Sequence, residues 1–290
     1  MTRISDLLAK GRTFSFEFYP PQTDEELRRL AATLVELQPL EPSFVSVTYR
    51  GGRSSRQRTH DLVAGMLRTT TLTPMAHLIC AGHSRLELAD ILVQLRKAGV
   101  ENLMALGGDP PAAVDGEAAD GDPGELRYAC ELVELARVIG GFSIGVAAHP
   151  AVHPRSPSRA ADRDWLAAKL EAADFAVTQS VFSLEHYVGL MEDLDARGCR
   201  KPVVPGIMPL LARSSLERQA AIGAVVPAEV AARIEAAGDK EEVRRVGIAM
   251  ATELCQALLD AGAPGLHFYT LNRSSATREI YTNLGLRSAP

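Results

Sequence analysis

Thr13 to Pro21 reads TFSFEFYPP. Phe14, Phe16 and Phe18 alternate with Thr13, Ser15, Glu17 and Tyr19, which is the two-residue period of a β-strand. One face of this strand is aromatic. The other carries a carboxylate near its end, just before Pro20 and Pro21 stop the run. Such a strand needs a fold that offers its two faces different surroundings, with polar chemistry at the exit.

Further strand-like runs follow at FVSVTY (44–49), MAHLIC (75–80), NLMAL (102–106), FSIGVAA (142–148), FAVTQ (175–179), PVVPG (202–206) and GLHFYT (265–270). Amphipathic stretches lie between them. Thr23 with Glu26 and Ser84 with Glu87 have capping-box spacing. Leu27, Leu30, Leu34 and Leu37 share one helical face, and Gly99 and Gly262 stand where C-terminal caps belong. Eight strand–helix repeats in 290 residues, with no proline-rich linker, predict an α/β chain folded as one (β/α)8 TIM barrel over 1–290. A doubly wound sheet is the alternative, because alternation does not demonstrate closure. The acidic segment GGDPPAAVDGEAADGDPGE (107–125) reads as a mobile loop after the fourth strand.

In a barrel, the C-terminal strand ends build the active site. Glu17 is then expected to face the axis, with the phenylalanines toward the helices; the plain alternative is a structural carboxylate paired with an arginine. Thr48 and Tyr49 end the second strand, and His77 lies within the third. Gly107, Gly108 and Asp109 follow the fourth, His149 and His153 the fifth, Gln179 closes the sixth, and Tyr269, Asn272 and Arg273 lie at and past the eighth. The run RGGRSSRQR (50–58) reads as a basic loop, either solvated or placed to meet an anion.

A net charge of -5 argues against nucleic acid or an anionic membrane as the main partner. The dispersed Cys80, Cys130, Cys199 and Cys255 fit reduced thiols. The opening MTRISDLLAKGR lacks a signal-peptide run and no membrane-spanning stretch occurs, so a cytoplasmic location is expected. There is no dinucleotide or P-loop glycine motif, no G-x-S-x-G elbow, and no H-E-x-x-H; no metal site is expected. A small-molecule substrate is the expected partner, and a homo-oligomer remains open.

The blocks SFEFYPP, FVSVTYRGG, AHLIC, ALGGDPP, VAAHPAVHP, AVTQSVF, VPGIMPL and HFYTLNR, in this order from about residue 13 to 273, resemble the methylenetetrahydrofolate reductase family. The resemblance implies a barrel that reduces methylenetetrahydrofolate with a nicotinamide cofactor, NADH or NADPH, in one-carbon metabolism and methionine biosynthesis. It makes Glu17 the general acid, Asp109 and Gln179 pterin-binding residues, and Arg273 and Tyr269 part of the folate site. Members usually carry FAD, and the cofactor-binding positions would be Thr48, His77, Gly108, His149, His153, Asp162, Trp165 and Lys169.

The flavin positions are where this chain departs from the family. Gly107 and Ala168 replace arginines, Trp165 an asparagine, and His149 a tyrosine. The expectation is therefore hydride transfer from the nicotinamide directly to the folate iminium, with FAD doubtful. A conventional FAD enzyme with ping-pong kinetics and a non-catalytic folate-binding barrel are the alternatives. Burial among Phe14, Phe16, Phe18 and Tyr19 is expected to raise the Glu17 pKa, as suits an acid. Asp109 is expected to stabilise the iminium cation.

Overall fold

The structure, a computed structural model, describes residues 2–49, 53–108 and 124–286, with the backbone alone for 53–57. Asp109, most of the acidic 107–125 segment, Arg50 and the side chains of Arg53 and Arg56 lie outside the described residues.

Eight parallel strands close into a barrel in chain order: β1 (Thr13–Phe18), β2 (Phe44–Val47), β3 (Pro74–Ile79), β4 (Asn102–Leu106), β5 (Ser143–Ala148), β6 (Phe175–Ser180), β7 (Val203–Ile207) and β8 (Gly265–Tyr269). The seam pairs Ser15 with His267 and Glu17 with Tyr269. Closure needs a glycine there: Gly265 has φ 146°, and a Cβ on it would lie 1.8 Å from the Thr13 carbonyl oxygen. The doubly wound alternative is excluded by this seam.

Helix α1 (Ile4–Lys10) precedes the barrel and α2 (Asp24–Leu37) follows β1. Then come α3 (Arg53–Thr69), α4 (Arg85–Lys97), α5 (Ala129–Ile139), α6 (Arg159–Ala172) and α7 (Leu184–Asp195). After β7 lie α8 (Ser214–Ala221), α9 (Ala228–Ala236) and α10 (Lys240–Asp260), and α11 (Ser275–Asn283) follows β8. Ser84 and Glu87 form both arms of their capping box. Thr23 accepts from the Glu26 N–H, but the Glu26 carboxylate reaches Gln22 N–H instead of its cap partner. Most of the 50–58 run read as a loop is helical from Arg53 onward, because arginine and glutamine are good helix formers and the only local breakers are Gly51 and Gly52.

The strand faces divide as the alternation requires. Phe16 packs against Phe268 and Tyr281, and Phe14 against Tyr281, in the layer between barrel and helices. Inside the barrel, a separate apolar cluster gathers Phe44, Met75, Met104, Phe175, Val177 and Val204. Ile4 and Leu8 of α1 complete it from below. Ile4 N–H donates to Asn102 Oδ1 and Ser5 N–H to Ser143 Oγ, so α1 is bolted to the starts of β4 and β5. Nothing periodic announces so short a helix in the sequence; it works as a plug under the interior.

Candidate active site

Above the apolar floor, the interior turns polar on the arc from β8 through β1 and β2 to β3. Residues of one parity face inward: Ser15 and Glu17 on β1, Ser46 on β2, His77 on β3, and His267 and Tyr269 on β8. Glu17 Oε2 lies 3.3 Å from Ser46 Oγ, 3.3 Å from His267 Nε2 and 3.5 Å from His77 Nε2. His267 Nδ1 is 2.7 Å from Ser15 Oγ, and its ring stacks on Phe44 at 5.9 Å. The Glu17 side chain is 16% exposed, and His267 beneath it is fully buried.

This geometry corrects one expectation. The phenylalanines that were to desolvate Glu17 face the helix layer, and the carboxyl is surrounded by imidazoles and hydroxyls. Burial is the largest single influence on it and pushes its pKa up. Hydrogen bonding from His267, the charges of His77 and His267 and the Ser46 hydroxyl together outweigh it, so the pKa is lowered. His77 is pushed down by its own burial, against the pull of Glu17.

Ser15 Oγ lies 3.4 Å from the Leu266 carbonyl and 2.7 Å from His267 Nδ1, while His267 Nε2 faces both Glu17 Oε2 and Ser46 Oγ, so the imidazole bridges Ser15 to the carboxylate at the rim of the barrel.

The rest of the mouth is built by the other strand ends. Tyr269 edges onto the His267 ring at 5.4 Å, while its hydroxyl donates 2.6 Å to the Thr178 carbonyl, and Gly206 leaves room for its ring. Gln179 lies across the mouth on β6, where it lines a small cleft with His149 and His186. Gly108 has φ 81° and leads from β4 into the undescribed segment that carries Asp109. Arg273, past β8, is exposed, and its guanidinium has no partner among the described residues. Glu17, His77 and Tyr269 are thus brought together, with Gln179 opposite.

The cofactor positions separate into two groups. Thr48 Oγ1 and His77 Nε2 are buried and make no hydrogen bond among the described residues. On α6 the picture differs. Asp162 accepts from His153 N–H, Ser156 Oγ and Arg163, so its carboxylate is engaged. Lys169 Nζ donates 2.6 Å to the Ala147 carbonyl, and burial lowers its pKa to about 8. Trp165 is 59% exposed and packs on nothing that would bury it. His149 stacks edge-on against His153 at 4.4 Å, and burial lowers its pKa to about 4.

Sequence reading missed Arg163, Ser15, Ser46 and His267. Arg163 is buried, pairs with Asp162 and Asp193, and donates to the carbonyls of His149, Pro150 and Ala151. It holds the loop after β5 in place. His267 was legible in principle, since GLHFY puts it on the same inward parity as Tyr269. Among the described residues no cluster of three or more His, Cys, Asp or Glu side chains is placed to hold a metal, and no helix is long and apolar enough to cross a membrane.

A family profile described as methylenetetrahydrofolate reductase matches residues 3–285. The chain is 35% identical to the 5,10-methylenetetrahydrofolate reductase of Pectobacterium carotovorum over 94% of this chain and 90% of that protein. It is 34% identical to the Escherichia coli protein of the same name, with the same coverage. A rice protein named probable methylenetetrahydrofolate reductase (NADH) is 32% identical across 98% of this chain, which spans 50% of that longer protein. Among solved structures, a Clostridium thermocellum protein described as binding two copies of 5-methyl-5,6,7,8-tetrahydrofolic acid superposes with a TM-score of 0.67 over 97% of both chains, at 12% identity. That likeness shows the fold.

Proposed function

The chain belongs to the methylenetetrahydrofolate reductase family, and from that premise we propose that it converts 5,10-methylenetetrahydrofolate to 5-methyltetrahydrofolate by hydride transfer from NADH, without bound flavin. The observation that carries the reaction is the Glu17 carboxylate at the barrel mouth, 3.3 Å from both His267 Nε2 and Ser46 Oγ.

Opening the five-membered ring of the substrate breaks a carbon–nitrogen bond, and the departing nitrogen needs a proton at neutral pH. Glu17 supplies it. In the open site its pKa is low, but burial is already the largest influence on it. A pterin filling the mouth removes the water that remains, strengthens that influence, and favours the protonated carboxyl. The bridging carbon becomes an iminium cation. Asp109 stabilises that charge and, with Gln179, holds the pterin edge; Gln179 offers both donor and acceptor. Hydride from the dihydronicotinamide adds to the iminium carbon and gives the methyl group and the oxidised nucleotide. One proton from solvent restores the acid.

The flavin positions on α6 do not fit that group. Among Asp162, Trp165, Ala168 and Lys169 the only cation is Lys169, and it is already committed to Ala147. Asp162 is engaged within the loop it anchors. By contrast, Thr48 Oγ1 and His77 Nε2 are buried polar atoms that make no hydrogen bond among the described residues, and they suit the carboxamide of a nicotinamide. Retention of Asp162 and Lys169 is what favours the second reading, a flavoprotein with ping-pong kinetics. Protein produced with ample riboflavin decides between them: colourless enzyme that oxidises NADH with methylenetetrahydrofolate and gives intersecting double-reciprocal lines supports direct transfer. A stoichiometric yellow cofactor and parallel lines refute it. The four cysteines, all unpaired, accord with a cytoplasmic place for this reaction.

A further inference from the structure

Strand β6 carries one residue more than its neighbour β7. Ala176 N–H donates to the Pro202 carbonyl and Val181 N–H to that of Gly206, so five steps on β6 run beside four on β7. The strand register shifts between Val177 and Ser180 accordingly. The extra residue shows in the packing too: Phe175 and Val177 belong to the apolar cluster inside the barrel, whereas Val181, of the same parity, lies in the core under the helices. Thr178 sits at this bulge, and its side chain is buried. Its hydroxyl accepts from Gly206 N–H at 2.9 Å, a bond that an unbroken ladder would give to its carbonyl, and donates to the Gln179 carbonyl at 2.7 Å. The displaced Thr178 carbonyl accepts at 2.6 Å from the Tyr269 hydroxyl. That hydroxyl arrives from β8 across Gly206, where a Cβ would lie 2.4 Å from the same carbonyl oxygen. Tyr269 is in turn the cross-strand partner of Glu17. Beyond the bulge, Ser180 N–H donates to Gln179 Oε1 at 3.2 Å, which orients the amide at the strand end.

We infer that Thr178 is a positioning residue: its hydroxyl, standing in for its own carbonyl in the ladder, makes the bulge that aims the Gln179 amide at the substrate, and Tyr269 pins that bulge from the side of the acid. The inference rests on the functional reading above, in which Gln179 holds the pterin edge. Valine has the same shape and suits a buried strand position equally, but it makes neither hydroxyl bond. Bulges recur beside active sites because the extra residue re-aims a side chain. Here the connection runs from Glu17 through Tyr269 and Thr178 to Gln179, so the proton donor and the pterin contact keep a fixed separation across the mouth. A misplacement of about 1 Å in such a contact is costly to turnover.

The test compares Thr178→Val, Thr178→Ser and Gln179→Ala in steady-state kinetics with methylenetetrahydrofolate and NADH. Thr178→Val keeps the shape and removes both hydroxyl bonds. Its kcat/KM for the folate falls about 30-fold, chiefly through a higher folate KM, while the KM for NADH stays within about twofold. Thr178→Ser keeps the hydroxyl and stays within about threefold of the unaltered enzyme. In a Gln179→Ala background, Thr178→Val costs less than about threefold more, because the group it positions is gone. If Thr178→Val does not fold, Tyr269→Phe loosens the same bulge from β8 and is read in the same way. A loss confined to kcat, as a smaller folded fraction gives, overturns the inference. So does a loss that persists in full in the Gln179→Ala background, a serine variant as impaired as the valine, or a Thr178→Val enzyme with unaltered kinetics. An unaltered enzyme that does not turn over methylenetetrahydrofolate, or a Gln179→Ala enzyme with native kinetics, overturns the functional reading instead.

Discussion

Replacing Glu17 with glutamine removes the proposed proton donor and little else. The two side chains are nearly the same size, so the interior stays filled. The amide oxygen still accepts from Ser46 Oγ, 3.3 Å away in the native arrangement, and the new NH2 can meet His77 Nε2, which makes no hydrogen bond among the described residues. Both native bonds to the carboxylate are long, at 3.3 Å, and neutralising a mostly buried charge removes a desolvation penalty. The net change in stability at neutral pH is therefore within about 1 kcal/mol. The rate is another matter. General acid catalysis contributes about 10²–10⁴-fold, so kcat for methylenetetrahydrofolate-dependent NADH oxidation falls about a thousandfold, or about 4 kcal/mol of transition-state stabilisation. KM for the folate changes less than about threefold, since the proton transfer that the amide cannot make belongs to the transition state alone. The variant also has a pH signature in folding. A carboxyl with a lowered pKa in the folded state adds stability above its unfolded value, and that stability is lost as pH falls through the folded value. Glu17→Gln flattens this acid limb in urea titrations. Steady-state kinetics followed by loss of nicotinamide absorbance decide the matter. Retention of more than about a tenth of kcat, or a KM that rises as far as kcat falls, refutes the acid role.

Arg163→Met breaks the buried pairs with Asp162 and Asp193 and frees the carbonyls of His149, Pro150 and Ala151, so urea titration should show a loss of about 3–5 kcal/mol; a loss below about 1 kcal/mol contradicts its role as the clamp of that loop. Lys169 has its pKa lowered to about 8, so the unfolded chain binds more protons than the folded one above that pH, and stability should climb from about pH 8 toward the ordinary lysine range by about 3 kcal/mol at most. Lys169→Met should abolish that climb in denaturation curves collected across the range. Gly206→Ala would put a Cβ 2.4 Å from the Thr178 carbonyl oxygen and 2.6 Å from the Tyr269 ring, costing about 1–3 kcal/mol in melting experiments and altering the near-ultraviolet tyrosine dichroism. An unchanged tyrosine signal would mean that the Tyr269 ring is not held where the structure puts it.

The barrel was legible because strand period, caps and spacing all point one way. Ser15, Glu17 and the alternating phenylalanines divide between the two faces as their parity demands. What parity does not carry is which residues of neighbouring strands meet. The register that sets Glu17 against Ser46 and Tyr269, and Ser15 against His267, is a property of closure, and it reversed the direction expected for the Glu17 pKa. Arg163 escaped notice for a similar reason. An arginine in RAADRDWL reads as solvated helix surface, and only the fold shows the loop carbonyls that surround it. Asp162 and Lys169 were recognisable as positions, but not as groups already bound within the protein.

Helix α1 seats Ile4 and Leu8 under the barrel's interior and fastens them to β4 and β5. With the lower end of the interior filled, the described residues leave the strand-end face as the side from which a reactant approaches Glu17.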